Sequence, residues 1–161
     1  MRGVISTALL AFITYIIFSG SSSPYDLFTG AVVAIGVGLL MGKYVVQNDA
    51  KAMNPVRWLW GLVYFLWYML VAETKSHIDV IIRTITGNYN PGIVKVPIGV
   101  ETSYAKTLVA NSITNTPGTV VVDMDENYLY VNWIDVTTLD PEKAKGEISA
   151  DFERFAKRIF E

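Results

Sequence analysis

Three apolar runs, each bounded by small or polar residues, fill the first half of the chain: Val4–Ser19, Leu27–Tyr44 and Val56–Ala72. Crossing about 30 Å of hydrocarbon takes roughly 20 helical residues, with a working range near 17–25. The first and third runs sit at the short edge of that range, and the second fits it. Between Val4 and Tyr44 the only ionisable side chains that could approach hydrocarbon are Asp26, in the break, and Lys43, at the end. Arg57 opens the third run and Glu73 lies just past its end. The pattern predicts about three transmembrane helices. The break from Gly20 to Asp26 is a compact turn, with Pro24 placed to begin a helix, so the first two form a hairpin. Met1-Arg2, the apolar stretch to Phe18 and Ser19-Gly20-Ser21 also fit a secretory signal peptide; the hairpin reading makes this segment a membrane helix instead.

Small residues recur at helical spacing on the hairpin. Gly30, Ala34, Gly38 and Gly42 lie four apart on the second run, and Gly3, Thr7 and Ala11 do so on the first. Such faces let helix backbones approach closely where lipid removes the hydrophobic incentive. They are the expected packing surfaces of the hairpin and of a neighbouring subunit, although glycine and alanine are also common in membrane helices generally. In the third run Trp58, Trp60, Tyr64, Trp67 and Tyr68 crowd together, and the first two suit an aromatic belt at one membrane interface.

Beyond Ala72 the helical pattern changes character. Ile78, Ile81, Ile82 and Ile85 form one stripe, and Lys75, Asp79 and Arg83 a charge ladder on another face. This amphipathic extension is expected along the membrane surface or against the following domain, and Gly87-Asn88 ends it. Residues 1–86 thus form the membrane part and 87–161 a small α+β domain. In that domain Ile93–Ile98 alternates like a strand, with Pro97 confining it to an edge or a strand end. Thr102–Ile113 has helical spacing. Thr119–Met124 and Tyr128–Asp135 are strands joined by the short Asp125-Glu126-Asn127. Pro141 opens a final helix with Ile148, Phe152, Phe155 and Ile159 on one face. The order β-α-β-β-α predicts a sheet with its helices on one side.

Composition removes most chemistry. The chain of 161 residues has 52% hydrophobic residues and net charge −2, which offers nucleic acid no clustered Lys and Arg. It contains no cysteine, excluding disulfides, iron–sulfur ligation and thiol catalysis, and its one histidine makes a zinc site from this chain alone improbable. No cofactor is expected, and no catalytic set stands out. Asp123, Asp125 and Glu126 lack the oxygen ligands and glycine turn of a calcium loop and read as a solvated hairpin tip. Glu73 and His77 share a helical face at the rim of the third run. They are expected to serve as interfacial anchors with Lys75 and Arg83, or as a proton relay or inter-subunit contact, since ionisable groups near hydrocarbon are functional suspects.

One stretch narrows the function. Leu108-Val-Ala-Asn-Ser-Ile-Thr-Asn-Thr-Pro-Gly-Thr119 resembles the Ser-Ile-Thr-Leu-Thr-Pro-Gly-Thr signature of the E-type subunits of Mrp-type cation/proton antiporters, which are multisubunit complexes. Val120–Asp123, Tyr130–Ile134 and Asn90–Val96 are similar to the same family, and Asn115 departs from its usual leucine. Ser112, Thr114 and Thr116 are expected to satisfy backbone groups at the corner that Pro117-Gly118 makes. The resemblance implies a non-catalytic accessory subunit of a sodium/proton antiporter, multi-pass in the cell membrane, partnered by other hydrophobic subunits and lipid. Related subunits in archaeal membrane-bound hydrogenases and sulfur-reducing complexes are the alternative. The resemblance also implies a cytoplasmic C-terminal domain. Against this, three spans put Arg2, Lys43, Lys51 and Arg57 on one side and Lys75 and Arg83 on the other, which favours a cytoplasmic N-terminus. Rival readings are a stand-alone small transporter, which lacks a mid-span carboxylate here, and a membrane-anchored enzyme or ligand-binding sensor with residues 93–161 as the working part.

Overall fold

The computed structural model describes residues 3–46 and 48–161, so Arg2 lies outside the described residues. The chain resolves into two compact units, Met1–Pro55 and Val56–Glu161.

The first unit is a helical hairpin, α1 (Val4–Ser19) and α2 (Pro24–Val45), followed by a one-turn helix α3 (Asp49–Ala52). Pro24 takes the first helical position, and the Ser23 hydroxyl accepts from the Asp26 backbone N–H. The Asp26 carboxylate in turn accepts from Ser21 Oγ at 2.5 Å and Ser23 Oγ at 2.6 Å, closing the turn on itself. α1 has no capping side chain of its own. Asp49 supplies one from α3, accepting from the backbone N–H of Gly3 at 2.7 Å and of Ser6 at 2.9 Å. The Ser6 N–H, and also that of Gly3, hold this carboxyl below its usual range. A negative charge at a helix N-terminus is favoured by its dipole.

The second unit is built on a continuous helix from Pro55 to Thr86, in which α4 (Pro55–Trp67) and α5 (Glu73–Thr86) are joined by a π-helical turn at Tyr68–Ala72. This helix and α2 are long and apolar enough to cross a membrane; α1, with 16 residues, is shorter. Next come β1 (Gly92–Pro97), α6 (Ser103–Asn115), β2 (Thr119–Met124), β3 (Tyr128–Trp133), α7 (Pro141–Ile148) and α8 (Ala150–Phe160). The sheet order is β1-β3-β2 and both pairings are antiparallel. Pro97 ends the edge strand β1, where its missing N–H costs little. A bulge between Val121 and Asp123 shifts the register of the hairpin.

Inward-facing Val94, Val96, Leu129 and Val131 pack with Ala105, Val109 and Ile113 of α6 and with Phe152 and Phe155 of α8. The single final helix expected from Pro141 is two helices. Ser149, fully buried, breaks it between Ile148 and Ala150, and Ile148 of α7 and Phe152 of α8 both reach the core. The short α3 has no counterpart in the sequence reading, and β3 ends at Trp133 rather than Asp135.

Candidate functional site

The long helix is the seam of the second unit, because the α+β residues dock along most of it. At its start Arg57 donates to the carbonyls of Ile159 at 3.1 Å and Glu161 at 2.9 Å, tying down the end of α8. Trp60 meets Phe155 with ring centroids 6.4 Å apart, and the Arg158 guanidinium lies 4.1 Å from the Trp60 ring centroid. Trp67 packs on Phe155 at 4.9 Å and on Phe152 at 6.0 Å. Contacts that descend α8 while ascending α4 make the two helices antiparallel. Trp60 is therefore half-buried in an aromatic seam between α4 and α8, while Trp58, its companion in the expected membrane belt, stays exposed. Aromatic pairs of this geometry add about 0.5–1.5 kcal/mol each beyond their area.

The Ser-Ile-Thr-Asn-Thr-Pro-Gly-Thr stretch sits against the same helix. The Ser112 hydroxyl, 4% exposed as a residue, hydrogen-bonds Tyr64 of α4 and donates to the Leu108 carbonyl at 2.6 Å. Thr116 Oγ1 donates to the Ser112 carbonyl at 2.6 Å, and Thr119 Oγ1 to that of Ile113 at 2.8 Å. Thr114 Oγ1 accepts from the Val121 N–H at 3.2 Å. Thr119, not singled out from sequence, thus shares the work of closing the corner. Gly118 has φ 95°, a left-handed conformation, and a Cβ there would stand 3.1 Å from Ile134 and 3.4 Å from Val80 of α5. Pro117 stands beside it, just past the end of α6, where it cannot continue the helix. Arg83 of α5 completes the docking by pairing with Asp135 as well as with Asp79, the latter at 2.6 Å.

Glu73 and His77 occupy one turn of α5. His77 Nδ1 lies 2.8 Å from the Glu73 carbonyl oxygen and 3.4 Å from its carboxylate. The His77 side chain is exposed and that of Glu73 mostly covered. Among the described residues no group of three metal-ligating side chains converges. The acidic hairpin tip is a turn: the Asp125 carboxylate accepts from the Asn127 and Tyr128 N–H groups at 2.8 and 2.7 Å. Those bonds, with the one from Tyr130, hold its carboxyl below the usual range.

In the hairpin, the four buried residues of α2 are Gly30, Ala34, Gly38 and Gly42. A Cβ on Gly38 would lie 2.8 Å from both Ala8 Cβ and the Val4 carbonyl oxygen, and one on Gly42 would lie 2.8 Å from Val4 Cα. Thr7 is buried and Ala11 half-buried; the nearest approaches of α1 to α2 run through Val4, Ala8 and Tyr15. Sequence reasoning missed one buried charge. Glu153, in α8, pairs with Lys145 Nζ at 3.0 Å and accepts from the Gly99 N–H at 3.1 Å. A carboxylate inside an otherwise apolar helical stripe, with Lys eight residues before it, was the available signal.

Residues 8–159 match the family described as Na+/H+ ion antiporter subunit. The chain belongs to this family. It is 29% identical to the E-type Na+/H+ antiporter subunit of Alkalihalophilus pseudofirmus, a match covering 91% of this chain and 90% of that one. To the E1-type Na+/H+ antiporter subunit of Staphylococcus haemolyticus it is 27% identical, over 98% and 97% of the two chains. Among solved structures it matches, with TM-score 0.85 and 29% identity over 99% of its length, a chain of the membrane-bound sulfane sulfur reductase, an archaeal respiratory membrane complex. The fold of this antiporter-subunit family therefore recurs in a respiratory setting.

Proposed function

We propose that this antiporter-family chain is an accessory, non-catalytic part of a sodium/proton antiporter module, supporting assembly and ion movement by partner subunits. The observation that carries this reading is the closed hairpin. Its helices meet through Gly38 on Ala8 and Gly42 on Val4, too close for a hydrated path between them. The charges within α2 are terminal: Asp26 in its first turn and Lys43 in its last. Ion transfer across about 30 Å needs groups spaced through the span, so those groups come from partners. The outward faces of the hairpin, among them Leu10, Ile17, Phe28 and Leu40, are apolar and exposed, which suits contact with other hydrophobic subunits and lipid. The second unit supplies a surface for docking, with Glu73 and His77 available for an interfacial contact.

Deleting the chain from its host is expected to abolish cation/proton exchange or complex assembly, while the purified chain in liposomes shows no exchange. Exchange by the isolated chain would refute the accessory role. A second reading places the same role in a respiratory complex, favoured by the full-length match to the sulfane sulfur reductase chain. Mass spectrometry of the intact complex separates the two: companion redox subunits select the respiratory host.

A further inference from the structure

We propose that the helix Pro55–Thr86 does not cross the bilayer but lies along an anionic lipid surface, apolar face inward, carrying the α+β residues on its opposite side. The domain contacts run from Arg57, bonded to Ile159 and Glu161, to Arg83, paired with Asp135. At 1.5 Å per residue that contact line is about 39 Å long, more than the roughly 30 Å of hydrocarbon. Were this helix a span, the sheet, α8 and their charged side chains would be dragged through the lipid with it. Arg158 on Trp60, and exposed Arg154 and Lys157 along α8, rule out such a burial on energetic grounds.

The side away from the domain is the one that fits lipid. Leu59, Leu62, Leu66 and Leu70 on the first half, and Ile81 and Ile85 on the second, are all exposed. The π-helical turn aligns them. At about 100° per residue, an unbroken α-helix would bring the isoleucine stripe round toward the domain. One extra residue in the turn sets the residues after it back by about 100° and sends the stripe to the outer side, while bringing Val80 and Arg83 inward. The result is one apolar face along the whole 32-residue helix. A long amphipathic helix with basic flanks binds in the plane of an interface.

Connectivity and charge point the same way. Residues 46–54 join α2 to this helix, a reach of about 30 Å at most, so a membrane-embedded hairpin delivers its start to the interface. With two spans, Lys43, Lys51, Lys75, Arg154, Lys157 and Arg158 all fall on one side, and the loop between α1 and α2 carries no Lys or Arg. That is the positive-inside arrangement. The N-terminus and the α+β residues then share the cytoplasmic side by count of crossings, and the conflict between charge and family resemblance disappears. Lys51, just before the long helix, and Lys75, on it, are exposed and supply the attraction to anionic headgroups.

The chain has no cysteine, so each single-cysteine variant labels this chain at one position, read on the separated subunit. In the native complex, Asn48→Cys and Asn127→Cys are expected to react with a membrane-impermeant maleimide from the same side, and Ser22→Cys from the other. Reaction of Asn48→Cys and Asn127→Cys from opposite sides would overturn the proposal. Nitroxides at Leu62, Leu70 and Ile81 of the full chain, reconstituted in vesicles containing phosphatidylglycerol, should read one shallow depth by oxygen accessibility. A profile that passes through the bilayer centre between them, or positions shielded from oxygen and water alike because protein covers them, would equally sink it.

Discussion

The close approach of the hairpin helices can be tested with two alanines placed two residues apart. At Gly38 a Cβ would stand 2.8 Å from Ala8 Cβ and from the Val4 carbonyl oxygen. Carbon contacts are optimal near 3.5–4.0 Å, so Gly38→Ala forces the helices apart by roughly 0.7–1.2 Å. Overpacking of this kind costs about 1–3 kcal/mol, which at 1.4 kcal/mol per factor of ten raises hairpin opening about 5- to 150-fold. At Gly36 a Cβ meets nothing within 4 Å. Gly36→Ala is therefore neutral or favourable by at most about 1 kcal/mol, the helix-propensity difference. Thr7→Cys makes a suitable reporter, because Thr7 is buried and its hydroxyl has no hydrogen-bond partner among the described residues. The rate of maleimide labelling at position 7, measured in detergent micelles, should rise sharply with Gly38→Ala and stay flat with Gly36→Ala. Equal rates for the two variants would refute close packing as the reason for these glycines.

Asp49→Ala should loosen the start of α1 at neutral pH, seen as a lower unfolding midpoint of the hairpin in detergent. The Asp49 carboxyl is held below its ordinary value, so its contribution is complete above the unfolded pKa of about 3.9 and lost as pH falls through the lower folded one; the variant and the parent should converge in strong acid. Deleting Val71 from the π-helical turn should rotate α5 by about 100°, breaking the Arg83–Asp135 pair and parting Val80 from Gly118; thermal unfolding should then be far more affected than by Val71→Ala. Glu153→Gln leaves Lys145 without its partner and should cost about 3 kcal/mol, the low end for a broken buried pair because Lys145 is partly exposed. A melting temperature lowered by roughly 10 °C or more would record it, and replacing both residues with Met should restore only part of the loss, because the Gly99 N–H then lacks its acceptor.

What was legible in the sequence is what simple periodicity controls. The hairpin, the Pro24 start, the sheet strands and the edge position of Pro97 follow from local pattern and turn chemistry. The long-range bonds were not legible. Nothing in the neighbourhood of Asp49 says that it caps a helix starting at Val4, and nothing beside Arg57 points to the carbonyl of Ile159. Periodicity itself also misleads at one place. The isoleucine stripe of α5 and the aromatic face of α4 fall on one side of an ideal helix, yet the π-helical turn separates them. A one-residue change of winding has no composition signal, and it decides which face is covered. Ser149 is a similar case: the apolar residues from Ile148 to Ile159 fit one helix, but the buried serine breaks it.

These contacts explain what the Ser-Ile-Thr-Asn-Thr-Pro-Gly-Thr stretch does in the fold. Ser112 at one end bonds Tyr64, and Gly118 at the other leaves room for Val80. The two contacts lie on opposite sides of the π-helical turn, so the corner spans the point where the long helix changes its winding. A larger residue at position 118 would push α5 away while Tyr64 held α4 in place, and the helix would be bent at its weakest turn. The Ser-Ile-Thr-Asn-Thr-Pro-Gly-Thr corner is thus a clamp on the helix, and the reason for glycine is the approach of Val80 as much as the backbone angle it permits.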